Sequence, residues 1–539
     1  MRSRAHGRLL FAAALGLAPL RAGAQQALET RVAEGRAVWD RSNAAGGAPV
    51  AAQDSPAPGT PAPAFSVVDR ASLKEANEEI LALRGKVWDG RLEPARFYPE
   101  IQGAFERRFG PGYGPKIKAF LDGEAAAAPR SAQTVDFAGM TPAEREGFFK
   151  KMPKGGELHV HLTGAVPGDK ILEIGEQLGT KFPVAGILAV MRVPELSAYG
   201  VDASKDALTA GEMSPALRGD LAAAMVTRDG ETFLQFLDKW KVIGAVIRDD
   251  RSYYPMIRYL ADYAKDQNIV YLEIMVTGFP AVQHASVEAA KRVEAETGVT
   301  IRLMISDGWN ASKAQDDEAI ATAQALSADG VVGFNMVADE RLPPLNHYEA
   351  FKPLRDRLAR LSVSLHAGEQ SGTASNIVND LLLNPKRYGH ATHVEEDPIA
   401  ETVVYENKIP VEVSLISNEK TLVLQDLTRH PETKFLAWGV PVVPSTDDPG
   451  VFGSTLSQEY QLSQSQFNLS WDQLKEMSRN AVRYSFVDDA TKAKLMRDLD
   501  RRLSDFEASE DFRKRFAAAP PGAAAPRPVE LRPLDLSLR

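Results

Sequence analysis

The sequence predicts an α/β fold: a (β/α)8 barrel with an N-terminal helical extension and an insertion after its first strand. Eight short β-rich runs follow one another between residues 157 and 448. Helical patterns such as "DDEAIATAQALSADG" and "YEAFKPLRDRLARL" separate them, and strand–helix alternation implies a parallel sheet. Histidines and carboxylates recur at the ends of these runs, where barrels of this type carry their reacting groups. An open doubly wound sheet is the alternative, but no Gly-rich phosphate loop opens a helix in this chain.

Taken in order, "MRSRAHGR" carries three arginines, "LLFAAALGLAPL" is a short apolar segment, and small residues follow at Ala22 and Ala24. That three-part form predicts a signal peptide over 1–24, and hence an exported protein, periplasmic or secreted, with an uncleaved N-terminal anchor as the alternative. The apolar part is too short for a stable membrane span, and no later stretch is long enough either, so no span is expected after signal cleavage. With no cysteine there can be no disulfide, which fits an exported bacterial protein stabilised by its core alone. Residues 25–65 read as a short charged helix followed by a linker dense in Pro, Ala and Gly.

Residues 66–150 have helical periodicity, as in "SLKEANEEILALRGKVWDG", and form an expected helical segment that could serve a homodimer. Within it Thr141 precedes Glu144 by three residues, the spacing of a capping box. Residues 151–516 form the expected barrel domain. Its strand runs are 157–164, 269–276, 299–306, 330–337, 362–369, 387–394, 410–417 and 440–448. The long interval from 165 to 268 is read as an insertion of helices and loops. From Ala517 onward the chain reads as a disordered tail, 517–539. The net charge of −9 argues against a nucleic-acid partner, because neutralising phosphates needs a basic surface. The 44% hydrophobic and 25% charged content are those of a soluble globular chain.

The first strand, "ELHVHLTG", places His159 and His161 one residue apart. Side chains alternate along a strand, so both imidazoles face the same side, as paired metal ligands or by coincidence. The fifth run ends with His366 and Glu369, the sixth carries His390, and the eighth ends with Asp447 and Asp448. Singly, each has a structural explanation as a hydrogen-bonded strand-end residue. Together, three histidine nitrogens and a carboxylate oxygen can fill most of a zinc shell and leave room for water. Such an ion lowers the pKa of water toward ~7. Glu369 and His390 are then left for proton transfer.

"MPKGGELHVHLTGAV", "SLHAGE", "YGHATH" and "STDDPGVFG" resemble the adenosine deaminase family in order and spacing, over roughly residues 145 to 500. The form "DDPGVFG", the N-terminus and the pre-barrel helices are most similar to its secreted, growth-factor-related branch. The resemblance implies hydrolytic deamination of adenosine, or a close adenine nucleoside, to inosine and ammonia. It also implies one Zn2+ per chain, held by His159, His161, His366 and Asp447. Glu369 then corresponds to the acid that protonates purine N1, and His390 to the imidazole that orients or deprotonates the attacking water. Asp448 corresponds to the carboxylate that hydrogen-bonds N7 and helps hold the water. Two positions depart from the family pattern. Thr163 stands where an acidic residue meets the ribose. Ala338 stands where a glycine N–H meets purine N3; the alanine keeps the N–H and adds a methyl group.

Other residues invite a role. Phe233, Phe236 and Trp240, at helical spacing, could line the purine mouth or simply form core. Glu273 lies mid-strand, where a buried carboxylate needs a partner. Ser417 and Asn418 are expected at the end of the seventh strand, within reach of the pocket. His393, three residues beyond His390, should face away from the site. His6, His284, His347 and His430 receive no role. Three rival functions remain, one of them mononucleotide deamination, for which a phosphate pocket would need Arg or Lys near the mouth. An amide- or ester-cleaving two-metal amidohydrolase would want a bridging lysine or carboxylate on strand four, which "GVVGFNMV" lacks. A nucleoside-binding protein without turnover would show a broken ligand set, and no candidate ligand is missing.

Overall fold

The computed structural model describes residues 65–129, 131–355 and 360–516. The predicted signal peptide, the helix and linker up to residue 64 and the tail lie outside the described residues. Eight strands form one parallel sheet in sequential order: β1 (Glu157–His161), β2 (Tyr271–Thr277), β3 (Thr300–Gly308), β4 (Val331–Val337), β5 (Ser362–Ala367), β6 (Arg387–His390), β7 (Val411–Val413) and β8 (Val442–Pro444). The ring closes just past β8, where Val160 pairs in parallel with Asp447. There the His161 N–H donates to the Asp447 carbonyl at 2.8 Å, and the Asp447 N–H to the His159 carbonyl at 2.9 Å. The (β/α)8 barrel is therefore present. β2 reads "YLEIMVT" and is buried along almost its whole length, as expected of a strand covered on both faces.

The extension comprises α1 (Arg70–Trp88), α2 (Phe97–Phe109), α3 (Gly114–Ala127) and α4 (Pro142–Lys151). α1 buries Leu73, Ala76, Ile80, Leu83 and Val87, a stripe at three- and four-residue spacing that faces the core. α4 begins at the capping box: the Thr141 N–H donates to Glu144 Oε2 at 2.9 Å, and the Glu144 N–H to Thr141 Oγ1 at 3.3 Å. The extension lies against the barrel's own helices. Asn77 and Asn407 exchange amide hydrogen bonds of 3.1 and 2.9 Å, and the Trp88 indole donates to the Leu382 carbonyl at 3.1 Å.

Several strand ends fall short of the expected runs. The first strand stops at His161, and Leu162–Ala165 makes a helical turn. Gly164 is required there, since an added Cβ would sit 1.8 Å from Asp448 Oδ1. The sixth strand ends at His390. The seventh gives way to a helix, Leu415–Lys420, so Ser417 and Asn418 are helical rather than strand-end residues. The cause is tertiary: the distant Glu459 carboxylate accepts the N–H groups of Leu415 and Ile416 at 2.9 and 3.3 Å, satisfying donors that a helix start leaves open. "YEAFKPLRDRLARL" holds only a short 3-10 turn at Lys352–Leu354 among its described residues, where Pro353 supplies no N–H. The insertion between β1 and β2 contains helices and a two-stranded antiparallel ribbon, Lys181–Pro183 with Ala207–Thr209. Phe236 and Trp240 fall on separate helices, Phe233–Asp238 and Trp240–Ile247.

Candidate active site and metal centre

His159, His161, His366 and Asp447 each direct one ligand atom into a common space, all four atoms lying within 4.8 Å of one another. β1 supplies the first two by its alternation. β5 supplies His366, and the closure just past β8 supplies Asp447. Asp447 adopts φ +64°, a left-handed conformation costly for a residue with a Cβ; its two backbone bonds to β1 hold it there. Gly389 on β6 leaves room for the His159 ring, because an added Cβ would meet its Cε1 at 2.6 Å.

The hydrogen bonds around the histidines fix which nitrogens face the cluster. His159 Nδ1 lies 2.7 Å from Glu412 Oε2, which leaves Nε2 buried and without a partner. His366 Nδ1 lies 3.3 Å from Asn335 Oδ1. His161 Nε2 lies 3.2 Å from Asp447 Oδ1, and Ser417 Oγ donates to Asp447 Oδ2 at 2.6 Å. Burial, with the neighbouring imidazoles, pushes the pKa of His366 well down, and burial lowers that of His159. Burial opposes ionisation of Asp447, yet the His161 hydrogen bond and the surrounding imidazoles hold its pKa well below the carboxylate range. Burial opposes the charged form of His161, but its hydrogen bond to Asp447 raises its pKa, so a divalent metal, which takes neutral imidazoles beside an ionised carboxylate, would displace a proton from it. The orphaned His159 Nε2 fits the same use.

Glu369 and His390 adjoin this cluster. Their carboxyl oxygen and Nε2 are 3.9 Å apart, and His390 Nε2 is 4.0 Å from Asp447 Oδ2. Both His390 ring nitrogens are buried without partners, and burial lowers its pKa. Burial, and then Asp447, raise the Glu369 carboxyl to about 8. Asp448 is buried with Oδ1 unpartnered, and burial with Asp447 beside it pushes its pKa well up. Thr163 Oγ1 faces the Trp240 indole N–H at 3.4 Å. Phe236 packs edge-on against Trp240 at 4.8 Å and stacks on Phe452 at 5.4 Å. Ala338 is different: it is exposed in the turn after β4, at φ +79°, and belongs to the rim. His393 points away, with Nε2 3.1 Å from the Val423 carbonyl.

Beneath the histidines runs a buried ionic chain of which sequence reasoning found only one member, Glu273. Glu412 on β7 contacts His159, Ser364 Oγ at 3.2 Å and the Arg387 guanidinium. Arg387, on β6, reaches across the barrel interior to Glu273 on β2. Glu273 also accepts the Tyr271 hydroxyl at 2.7 Å and the Phe486 N–H at 3.0 Å. Burial opposes the Glu412 charge, but Arg387 and His159 bring its pKa down to about 2. The available signal was the inward-facing charge in "PVEV" and "KRYGH", both inside otherwise apolar strands.

The sequence profile of the family described as "Adenosine deaminase" matches residues 215–502, more than half of the chain. The chain belongs to the adenosine deaminase family. The pair on β1 lies upstream of the matched residues, so its place in the site rests on the geometry above. An aminodeoxyfutalosine deaminase of Acidothermus cellulolyticus is 30% identical over 325 residues, 57% of this chain and 81% of that protein. An adenine deaminase of Rhizobium leguminosarum bv. trifolii is 29% identical over 360 residues, 63% of this chain and 97% of that one. The fold is shared with the N6-mAMP deaminase of arabidopsis, at TM-score 0.54 and 22% identity, covering 66% of this chain and 99% of that one. As a member of the adenosine deaminase family the chain is a hydrolytic deaminase acting on the C–N bond of a cyclic amidine. The family is metal-dependent, and the His/Asp cluster is this member's candidate metal centre.

Proposed function

We propose that the chain catalyses zinc-dependent hydrolytic deamination of adenosine, or a close 6-aminopurine nucleoside, to inosine and ammonia. The observation that carries this reading is the convergence of His159, His161, His366 and Asp447 beside Glu369 and His390. The first four would hold one zinc ion, which supplies Lewis acidity and makes a hydroxide nucleophile available near neutral pH. Glu369, kept protonated by burial, donates its proton to ring N1 as oxygen adds at C6. His390, neutral and with both nitrogens free, orients the attacking water and can hold its proton. Asp448 retains its own proton and donates a hydrogen bond to ring N7. As C6 collapses, the proton held by His390 passes to the amino group, the C–N bond breaks to release ammonia, and the proton of the new C6 hydroxyl returns to Glu369 as the C6 carbonyl forms.

A second reading keeps the chemistry and changes the substrate to free adenine. It is favoured by Thr163, a neutral hydroxyl already engaged by Trp240, which stands where the family pattern has an acidic residue on the ribose. Ammonia release by the zinc-replete protein with adenosine and with adenine, beside a Glu369→Gln control, tests both. Turnover lost in the control with zinc retained supports the mechanism, and the preferred compound identifies the substrate. Normal turnover by Glu369→Gln, or no ammonia from any 6-aminopurine with metal bound, overturns the reading.

A further inference from the structure

Glu340 lies three residues beyond β4 and is almost fully buried. Its side chain reaches the loop that follows β5. Oε2 and Oε1 accept the Glu369 N–H at 3.0 and 3.3 Å, and the Thr373 hydroxyl lies 2.7 Å from Oε2. Its main-chain carbonyl accepts the Asn376 side-chain amide at 2.6 Å. One residue of the β4 loop thus fastens both ends of the segment 369–376. That segment starts from Gly368 at φ +66° and carries Glu369 into the site; its middle is tied separately, with Ser371 Oγ and the Gly372 N–H donating to Glu396 at 2.7 and 2.6 Å. The β4 loop itself is folded back on a turn, with the Leu342 N–H donating to the Asp339 carbonyl at 3.1 Å and Arg341 Nε to Asp339 Oδ1 at 2.7 Å. The clamp is therefore built on a braced loop rather than a free one.

We infer that Glu340 is a positioning residue that sets the backbone of Glu369, and through it the reach of the proton donor to the substrate ring. The inference rests on the role given to Glu369 above. The hydrogen-bond partners of Glu340 are Glu369, Thr373 and Asn376, none of them a candidate metal ligand, so its loss should be felt in turnover rather than in metal retention. A displacement of about 1 Å in a reacting group can cost about 100-fold in rate.

The test is a double-variant cycle on the full-length, zinc-loaded enzyme, with kcat, KM and bound zinc measured for each variant. Glu340→Ala should lower kcat by up to about 100-fold, with KM and zinc content nearly unchanged. Glu340→Gln, whose amide oxygen still accepts the Glu369 N–H, should recover much of that loss. It also keeps the cycle readable should the alanine variant fold poorly. In a Glu369→Gln background, assayed at high enzyme concentration for residual turnover, either substitution should change kcat by less than about twofold. A loss in that background as large as in the wild type would show that Glu340 acts on the fold generally, and would overturn the inference while leaving Glu369 as the acid. Unchanged kcat in Glu340→Ala overturns it equally. Full activity in Glu369→Gln alone would remove the donor role and the inference with it.

Discussion

Replacing Glu412 with glutamine tests whether the buried ionic chain serves the metal or only the fold. The carboxylate meets three groups that can donate: His159 Nδ1, the Arg387 guanidinium and Ser364 Oγ. Glutamine keeps the shape and one acceptor oxygen, but it turns an NH2 group toward a donor and removes the charge. Arg387 is not orphaned, because Glu273 remains its partner. The fold should therefore lose about 1.5–3 kcal/mol, the worth of one hydrogen bond to a charged group. Breaking the buried pair outright would cost about 3–5 kcal/mol. His159 loses the partner that fixes its tautomer and raises its basicity, so zinc affinity should fall about 10–100-fold, equivalent to about 1.4–2.7 kcal/mol. Zinc competition with a chelator, read beside thermal unfolding, measures both terms. Glu273→Gln is the control: it strikes the same chain from the far side of Arg387, so it should destabilise the fold while leaving zinc affinity in place. Equal affinity in wild type and Glu412→Gln, or an equal loss in both variants, would refute the argument that the His159 end serves the metal.

Three further outcomes are expected. Glu369 must carry its proton when substrate arrives, and its pKa is raised to about 8 by burial and Asp447. Thus kcat/KM should hold below that value and fall about tenfold per pH unit above it; a profile still flat at pH 10 would contradict the assignment. Gly389→Ala places a Cβ 2.6 Å from the His159 ring, so it should cost zinc retention and turnover together, seen by metal analysis of the purified variant. Ala338→Gly relieves a methyl-bearing residue at φ +79°, a conformation that costs about 1–2 kcal/mol outside glycine. Part of that gain is offset by the freer unfolded chain, so the melting temperature should rise by about 1–2 °C, and a fall would contradict the strain argument.

The barrel and the metal-centre candidates were legible from the chain because both rest on local regularities. Alternation puts His159 and His161 on one face whatever surrounds them, and apolar strands separated by helical patterns allow few architectures. Polar residues at strand ends could be found by position alone, since the ends of parallel strands gather at one mouth. Thr141 and Glu144 were equally plain, because a capping box is satisfied within four residues. Ser417 was misplaced for the opposite reason: a carboxylate 42 residues later, Glu459, turns the expected strand end into a helix. It was this helical placement that brought its hydroxyl to Asp447.

Glu412, Arg387 and Glu340 show the other limit. Nothing near Glu412 in sequence marks it as the partner of His159, 253 positions away, and "NMVADE" does not announce that its last residue holds the backbone of Glu369. What the sequence determined by itself is which side chains face inward and what chemistry they can do. Only the tertiary structure decided which nitrogen of each histidine is free, which carboxyls keep their protons, and which loop braces the acid. Those properties depend on distance and burial, which the closing of the barrel creates and no local pattern contains.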